Sequence, residues 1–293
     1  NVHYLADAIT STLGDGSKFG VRIEYSHEPE LLGSAGGVKQ VQRFFGDDEF
    51  VVVGCDDLTD LPLDGLLAMH REKSAIATIG LVERESVHHY GVVVVDANGR
   101  IEGFQEKPEP GTERSKLVNT GIYAFSPEIF TKIPSSQFYD FGKQVFPELQ
   151  ETGAAFYGFD ARGAYWCDIG TPDEYRRASA DLVNGVFGIP DTRASGPDPT
   201  AQISGSAKLD QNVWIGANAR IGDDVRIVGP SVIGDGVTIE DGATLERSIV
   251  WEGSTIGAGA SLANTIVGKD YVVAPVAKLV DAVVANDEVS TRA

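Results

Sequence analysis

The stretch Val213-Trp214-Ile215-Gly216-Ala217-Asn218-Ala219-Arg220-Ile221-Gly222 contains the unit from which the second part of this chain is built. Ile215 and Ile221 stand six residues apart, each followed by a glycine. The same spacing runs on through Ile203, Leu209, Ile227, Ile233, Ile239 and Leu245. Four places after each anchor comes a small or β-branched residue: Ala207, Val213, Ala219, Val225, Ser231, Val237, Ala243 and Ile249. A six-residue period of this kind predicts a parallel β-helix, in which each hexad supplies one short strand and one corner. Three hexads close a triangular coil, and the anchors stack into a continuous apolar column. The register shifts near Trp251 and resumes at Ile256 and Leu262. An open sheet with six-residue spacing is the competing reading. A short coil stack needs its ends or flanks covered, so the apolar pairs Val272-Val273 and Val283-Val284 near its end predict an oligomer contact.

Upstream the pattern differs. Residues 188–200 are rich in Pro, Gly, Asp and Ser and read as a linker between residues 1–187 and the repeat at 201–293. In residues 1–187, short stretches rich in Val, Ile and aromatics alternate with helical patterns. Strands are predicted at 21–25, 50–53, 75–81, 91–95 and 120–125, and helices at 38–45, 63–71, 141–151 and 173–183. The chain opens on a further helical pattern, with Leu5, Ala8, Ile9 and Leu13 on one face and Gly14 as a stop. Asn98-Gly99 between two strand patterns is a hairpin signal. Such alternation predicts an α/β domain with a largely parallel sheet, whose ligands sit beyond the carboxyl ends of the strands.

Composition narrows the function. The chain has 293 residues and a formal net charge of −19, with Lys and Arg scattered, which argues against nucleic acid as a partner. It contains no apolar run of membrane-spanning length and no signal-peptide character, so no membrane partner is expected. Two cysteines make no disulfide framework, and a reducing cytoplasm is the expected location. An acidic protein that handles phosphates must do so with local devices: a lysine, backbone amides or a metal ion.

Such devices fall in order along residues 1–187. Glu106-Lys107-Pro108 sets an acid and a fixed cation at the end of a strand that Pro108 terminates. Asn119-Thr120-Gly121-Ile122-Tyr123 adds an amide and a glycine. Together they suit a phosphorylated polyol, with hydroxyls taken by the carboxylate and amide and phosphate by the ammonium of Lys107. Asp56, in Gly54-Cys55-Asp56-Asp57-Leu58, lies at the end of a strand, and Asp168, in Tyr165-Trp166-Cys167-Asp168-Ile169-Gly170-Thr171-Pro172, lies just before a helix that Pro172 can open. Taken singly, each suits a turn or helix cap. As a pair near a phosphate they suit Mg²⁺, which takes one or two carboxylates together with phosphate oxygens. Cys55 and Cys167 each precede one of these aspartates, so on extended backbone their thiols face away from it, and both read as small buried hydrophobes. Glu30-Leu31-Leu32-Gly33-Ser34-Ala35-Gly36-Gly37 is a Gly-rich turn into a helix, where outward amides let a planar ligand or phosphate approach. Gly91, after Tyr90, leaves room for a ring.

In this order the motifs resemble the sugar-1-phosphate nucleotidylyltransferases: Leu32-Gly33-Ser34-Ala35-Gly36, Asp56, Tyr90-Gly91, Glu106-Lys107-Pro108, Asn119-Thr120-Gly121 and Trp166-Cys167-Asp168-Ile169-Gly170-Thr171. A catalytic domain ahead of a hexapeptide β-helix looks most like the mannose-1-phosphate guanylyltransferases, with long-form glucose-1-phosphate thymidylyltransferases close behind. The resemblance covers nearly the whole chain. It implies a Rossmann-like nucleotidyltransferase domain followed by a left-handed parallel β-helix, with a nucleoside triphosphate and a sugar 1-phosphate as substrates. It implies that Asp56 and Asp168 hold a catalytic Mg²⁺, and that Lys107 contacts the sugar 1-phosphate and Glu106 the sugar hydroxyls. Gly91, Asn119 and Gly121 would line the sugar pocket, and Gly33, Ser34, Ala35 and Gly36 would lie against the nucleotide. A homo-oligomer through the β-helix is also expected.

Two departures matter. Cys55 stands where the family has glycine before the metal aspartate, which affects local packing. The family's signature phosphate loop, with its Arg and a later Pro-Lys-Pro, has no counterpart in residues 1–293 and is expected upstream of Asn1, so this chain alone is expected to be inactive. Two other functions compete. Hexapeptide acyltransferases use a histidine base, and His3, His27, His70, His88 and His89 all lie outside the repeat, which removes that reading. A catalytically silent sugar-nucleotide-binding homologue would have little need of both Asp56 and Asp168.

Overall fold

The computed structural model describes residues 1–189 and 195–286, apart from the side chain of Glu106. By packing, the chain divides into two units, Asn1–Asp57 with Leu61–Trp166, and Leu58–Asp60 with Cys167–Ala293.

The first unit is built on a mixed sheet. Its strands are β1 (Phe50–Val52), β3 (Ala77–Glu83), β4 (Gly91–Val95), β5 (Ile101–Glu106), β6 (Leu117–Phe125) and β7 (Phe156–Asp160), in the order β5-β4-β6-β3-β7, with β1 also on β6. The expectation of a largely parallel sheet is corrected here. Of the described pairings only β3 with β7 is parallel; β1–β6, β3–β6, β4–β5 and β4–β6 are antiparallel. The reason is local. β4 turns directly into β5 through Asn98-Gly99, with Gly99 at φ +80°, and β6 follows without a crossover helix. Parallel neighbours require such a crossover. Strand β7, absent from the expected elements, adds the parallel edge.

The helices are α1 (Ala6–Leu13), α2 (Gly33–Gln40), α3 (Gln42–Phe45), α4 (Leu63–Glu72) and α5 (Phe146–Glu151), the last entered through a π-turn at Phe141–Val145. The single helix expected at 38–45 is two, broken at Val41 (φ −98°, ψ 15°) and started earlier, at Gly33. Helix α1 stops at Gly14 as expected, yet none of its residues is buried. Residues 21–25 form no strand: Val21 and Tyr25 are exposed, and the nearest pairing is an isolated bridge between Val2 and His27. The core on one sheet face is aromatic. Phe50 stacks on Phe45 (centroids 4.0 Å apart) and Phe130 (5.3 Å), and Phe125 stacks on Phe141 (4.8 Å). Rings in such contact contribute beyond the area they bury.

The second unit contains β2 (Asp57–Thr59) through its residues Leu58 and Thr59, β8 (Trp166–Asp168) through Cys167 and Asp168, helix α6 (Pro172–Val183) and a solenoid of the left-handed parallel β-helix class. All three solenoid faces are parallel ladders, one running from Gln202–Ile203 to Val272–Val273, a second from Lys208–Leu209 to Lys278–Val280, and the third from Gly196–Pro197 to Val283–Val284. The anchors Ile215, Ile221, Ile227, Ile233, Ile239 and Leu245 are buried as the six-residue period requires. Register slips because Val232 pairs with Ile249 and Glu246 with Ala263, so one corner per coil is shorter from there on. Arg247, Asn264 and Asp281 occupy that corner in successive coils, each with positive φ, and hydrogen-bond in a column. The end of the expected linker, Gly196–Pro197, already belongs to the solenoid through its pairing with Trp214 and Ile215. Residues 190–194 of that linker lie outside the described residues. Helix α6 packs on the solenoid, with Tyr175 bonded to Trp251 (3.2 Å) and Asn184 to Asn212 (3.0 Å). That packing is why the boundary between units precedes the one read from composition at residue 187. No helix among the described residues is long and apolar enough to cross a membrane.

Candidate active site

The sheet of the first unit shifts register between Val94 and Val95 in the β4–β5 hairpin and again between β3 and β6, and the polar motif sits on the second irregularity. Between the pairs Ile79–Tyr123 and Leu81–Asn119, β6 carries two residues more than β3. The bulge contains Gly121, at φ +79°, and is closed by Thr120 Oγ1 donating to the Gly80 carbonyl at 2.8 Å. At the same place the other edge of β6 passes from β4, where Val118 pairs with Val92, to β1, where Tyr123 pairs with Val52. A bulge re-aims side chains and opens the ladder, a common arrangement beside active sites.

Three of the expected sugar-side residues are level across this opening. Gly91 pairs with Glu106 across the β4–β5 hairpin, and the β4–β6 register sets Gly91 opposite Asn119. The side chain of Asn119 is fixed at both ends: Oδ1 accepts from the Gly121 amide (2.9 Å), and Nδ2 donates to the Tyr123 hydroxyl (3.2 Å). Burial pushes the Tyr123 phenol up to about 12, so it is neutral at ordinary pH. Lys107 follows Glu106 in left-handed backbone (φ +44°), with its amide donating to the Tyr90 carbonyl at 3.2 Å. A non-glycine residue held there costs of order 1–3 kcal/mol, and such residues cluster at functional sites. Its side chain is exposed, and among the described side chains no carboxylate pairs with its ammonium. Pro108 is buried behind it, its carbonyl bonded to His88 Nδ1 at 3.0 Å.

Sequence reasoning gave no role to Asp57, which reaches the same region. Its Oδ1 accepts from Trp166 Nε1 at 2.8 Å, and a Cβ on Gly121 would stand 2.8 Å from its Oδ2. Trp166 is buried, packed edge-on against Tyr90 (5.3 Å) and under the Arg84 guanidinium (5.3 Å), which also donates to the Trp166 carbonyl. One signal for this neighbourhood was present: a glycine inside a strand pattern marks a close approach.

The expected metal ligands are carboxylates, hard oxygen donors of the kind Mg²⁺ takes. Asp56 is exposed in the turn after β1, beyond the strand end, where Asp57 N bonds back to Gly54 O at 3.2 Å. Asp168 is half-buried, with Oδ1 accepting from the Gly170 amide at 3.0 Å. Among the described residues no group of three or more His, Cys, Asp or Glu is gathered to hold an ion. Carboxylate oxygens are donors that Mg²⁺ accepts together with phosphate oxygens and water. The cysteines divide. Cys167 is buried, as expected, with Arg177 Nη2 at 3.2 Å, whereas Cys55 is exposed. Its turn is not extended, so side-chain alternation does not apply there.

The Gly-rich segment also differs from expectation. The amides of Ala35 and Gly36 do not point outward; both donate to the Tyr139 carbonyl at 3.0 Å, and both residues are buried. The glycines make room for chain. A Cβ on Gly33 (φ +72°) would meet Tyr139 O at 2.6 Å, and one on Gly36 would meet Gln137 O at 2.8 Å. Ser34 Oγ accepts from the Phe141 amide and donates to Asp140, both at 2.9 Å. Only Ser34, exposed, and Gly33, half-buried, present surface to a ligand.

Comparison with known proteins assigns the whole. The profile of the nucleotidyl transferase family matches residues 1–185. The chain belongs to that family. This nucleotidyl transferase also matches the bacterial transferase hexapeptide profile (six repeats) over residues 212–247. It is 42% identical over 273 residues to a UTP–glucose-1-phosphate uridylyltransferase of Synechocystis sp., covering 85% of this chain and 69% of the relative. It is 34% identical over 250 residues to a mannose-1-phosphate guanylyltransferase of Mycobacterium tuberculosis, covering 83% and 68%. To the mannose-1-phosphate guanyltransferase beta-B of Xenopus laevis it is 30% identical over 221 residues, covering 72% and 59%.

Proposed function

We propose that this nucleotidyl transferase joins a nucleoside triphosphate to a sugar 1-phosphate, and that the opening at the β6 bulge takes the sugar phosphate. The observation that carries this reading is the alignment of Glu106, Gly91 and Asn119 across three strands, with Lys107 exposed in left-handed backbone directly after Glu106. An oxygen of the sugar 1-phosphate attacks the α-phosphorus of the triphosphate. A new P–O bond forms, the bond to the β-phosphate breaks, and its electron pair leaves with pyrophosphate. No side-chain nucleophile is needed, since alignment and charge supply the catalysis.

Lys107 positions the attacking phosphate and offsets its repulsion from the triphosphate. Glu106 and Asn119 are assigned to the sugar hydroxyls, Asn119 through the amide that Gly121 and Tyr123 hold. Asp57 joins them from beside Gly121, and Gly91 leaves space for the ring. On the nucleotide side we retain Gly33 and Ser34, the two of Gly33–Gly36 with accessible surface. Asp56 and Asp168 are the carboxylates we assign to Mg²⁺, which when bound would neutralise charge on the phosphates.

For the substrates, the relative with higher identity and coverage supports UTP and glucose 1-phosphate. Mannose 1-phosphate with GTP, the pair implied by the resemblance, is the second reading, supported by the guanylyltransferase relatives. The homo-oligomer through the β-helix draws support from Val272, Val276, Val280 and Val283, all exposed on the last coil. A cytoplasmic location suits the nucleotide substrates. The test is pyrophosphate release by protein expressed from the whole reading frame that contains this chain, with UTP, GTP, dTTP and ATP against each sugar 1-phosphate. Release with none of the eight pairs would reject the reading.

A further inference from the structure

Within the second unit, a cavity of about 170 Å³ lies between helix α6 and the solenoid. Arg176, Arg177 and Ser179 line it from the helix, and Arg247 and Asn264 from the solenoid, with no carboxylate in the lining. Three arginines lining one small cavity stand out in a chain of net charge −19, whose 24 Lys and Arg are otherwise scattered.

Their acidic partners hold them from outside the cavity. Arg176 Nη1 meets Asp173 at 2.6 Å, Arg177 pairs with Glu174 and Asp181, and Arg247 Nη2 meets Glu246 at 2.8 Å. Arg247 Nε donates to Asn264 Oδ1 at 2.9 Å, which steadies the group in its corner column. Arg176 Nη2 donates to the Ala282 carbonyl at 3.3 Å, but its Nε–H is buried and has no hydrogen-bond partner among the described residues. A buried N–H left unpaired costs more than an ordinary hydrogen bond returns. An anion in the cavity would satisfy it.

We infer that this cavity is a binding site for a phosphoryl group, either free phosphate or the phosphate of a small monoester. Planar guanidinium donors match tetrahedral oxyanions in geometry and charge. The anion would bridge α6, through Arg176 and Arg177, to the solenoid, through Arg247, and so fasten the helix to the coil stack. The inference is independent of the catalytic reading, because none of its residues belongs to that site.

Thermal unfolding of the protein, titrated with inorganic phosphate or glycerol 3-phosphate against chloride at equal ionic strength, tests it. A ligand that binds only the folded state raises Tm with concentration. The expected result is a phosphate-dependent rise that persists in Lys107→Ala and needs at least about tenfold more ligand in Arg247→Gln. Arg176→Gln should behave like Arg247→Gln, and the exposed Arg247 serves as the variant least dependent on packing. A response to the ester alone, or to phosphate as well, identifies the source. The inference is overturned if neither anion raises Tm, if Arg247→Gln responds as the unaltered protein does, or if Lys107→Ala abolishes the response.

Discussion

Trp166 donates its indole N–H to Asp57 at 2.8 Å, and the other oxygen of that carboxylate lies against Gly121 in the β6 bulge. One side chain thus connects a buried tryptophan to the glycine that the bulge requires. Asp57→Ala leaves the indole N–H without its acceptor, a loss of about 1–3 kcal/mol for a buried donor. Asp57→Asn keeps an acceptor oxygen and is expected to recover most of it. Urea unfolding of the two variants measures the difference. If Asp57 also meets the sugar, Asp57→Asn raises KM for the sugar 1-phosphate more than it lowers stability.

Gly121→Ala places a methyl group 2.8 Å from Asp57 Oδ2 and forces a side chain into left-handed backbone. The conformational cost alone is about 1–3 kcal/mol. Lowered Tm with a larger loss in kcat/KM is expected, because the bulge positions Asn119. Gly153→Ala, at a positive-φ glycine with open space around it, is the control for backbone strain without the contact.

Val276 holds φ +52° at a solenoid corner although it is β-branched and largely exposed. The matching corner positions in earlier coils are Asp224, Gly242 and Gly259, all residues that accept this conformation. In dilute protein that size measurements show to be monomeric, Val276→Asn should therefore stabilise the fold by up to about 1 kcal/mol, read as a rise in Tm. At concentrations where the proposed oligomer covers Val276, the same substitution should weaken association, read by the same size measurements.

His70 is buried between Thr78 Oγ1 (2.9 Å) and Ser126 Oγ (3.0 Å), and burial holds its pKa below the ordinary value. The folded state thus keeps the ring neutral while the unfolded state takes up a proton near pH 6.5. The stability it contributes is complete above that pH and is lost as pH falls toward the folded value. The Tm of the protein is expected to drop more steeply between pH 7 and pH 5 than that of His70→Gln, which cannot titrate.

The two halves of the fold were not equally legible. The hexad anchors specify the solenoid because one residue in six must point into a narrow apolar column, a constraint written directly in Ile203 to Leu245. The shortened corners at Arg247, Asn264 and Asp281 were visible only as a shift near Trp251. In the first unit, strand positions followed from composition, but the sheet's direction did not. Alternating elements suggested parallel pairing, while the turn at Asn98-Gly99 and the direct run from β5 to β6 impose antiparallel ladders. The site was legible where chemistry is local, as in Glu106-Lys107-Pro108. It was illegible where it depends on approach through space, as with Asp57 at Gly121 or Tyr139 taking the amides of Ala35 and Gly36.

Lys107 is the residue on which the catalytic account turns, and the decisive measurement is pyrophosphate release by Lys107→Ala in protein from the whole reading frame. The account predicts loss of at least about 10²-fold in turnover, the scale for removing one preorganised charge donor, with Tm unchanged because neither lysine nor alanine relieves the left-handed strain. Turnover within a few-fold of the unaltered protein, at the same Tm, would contradict it.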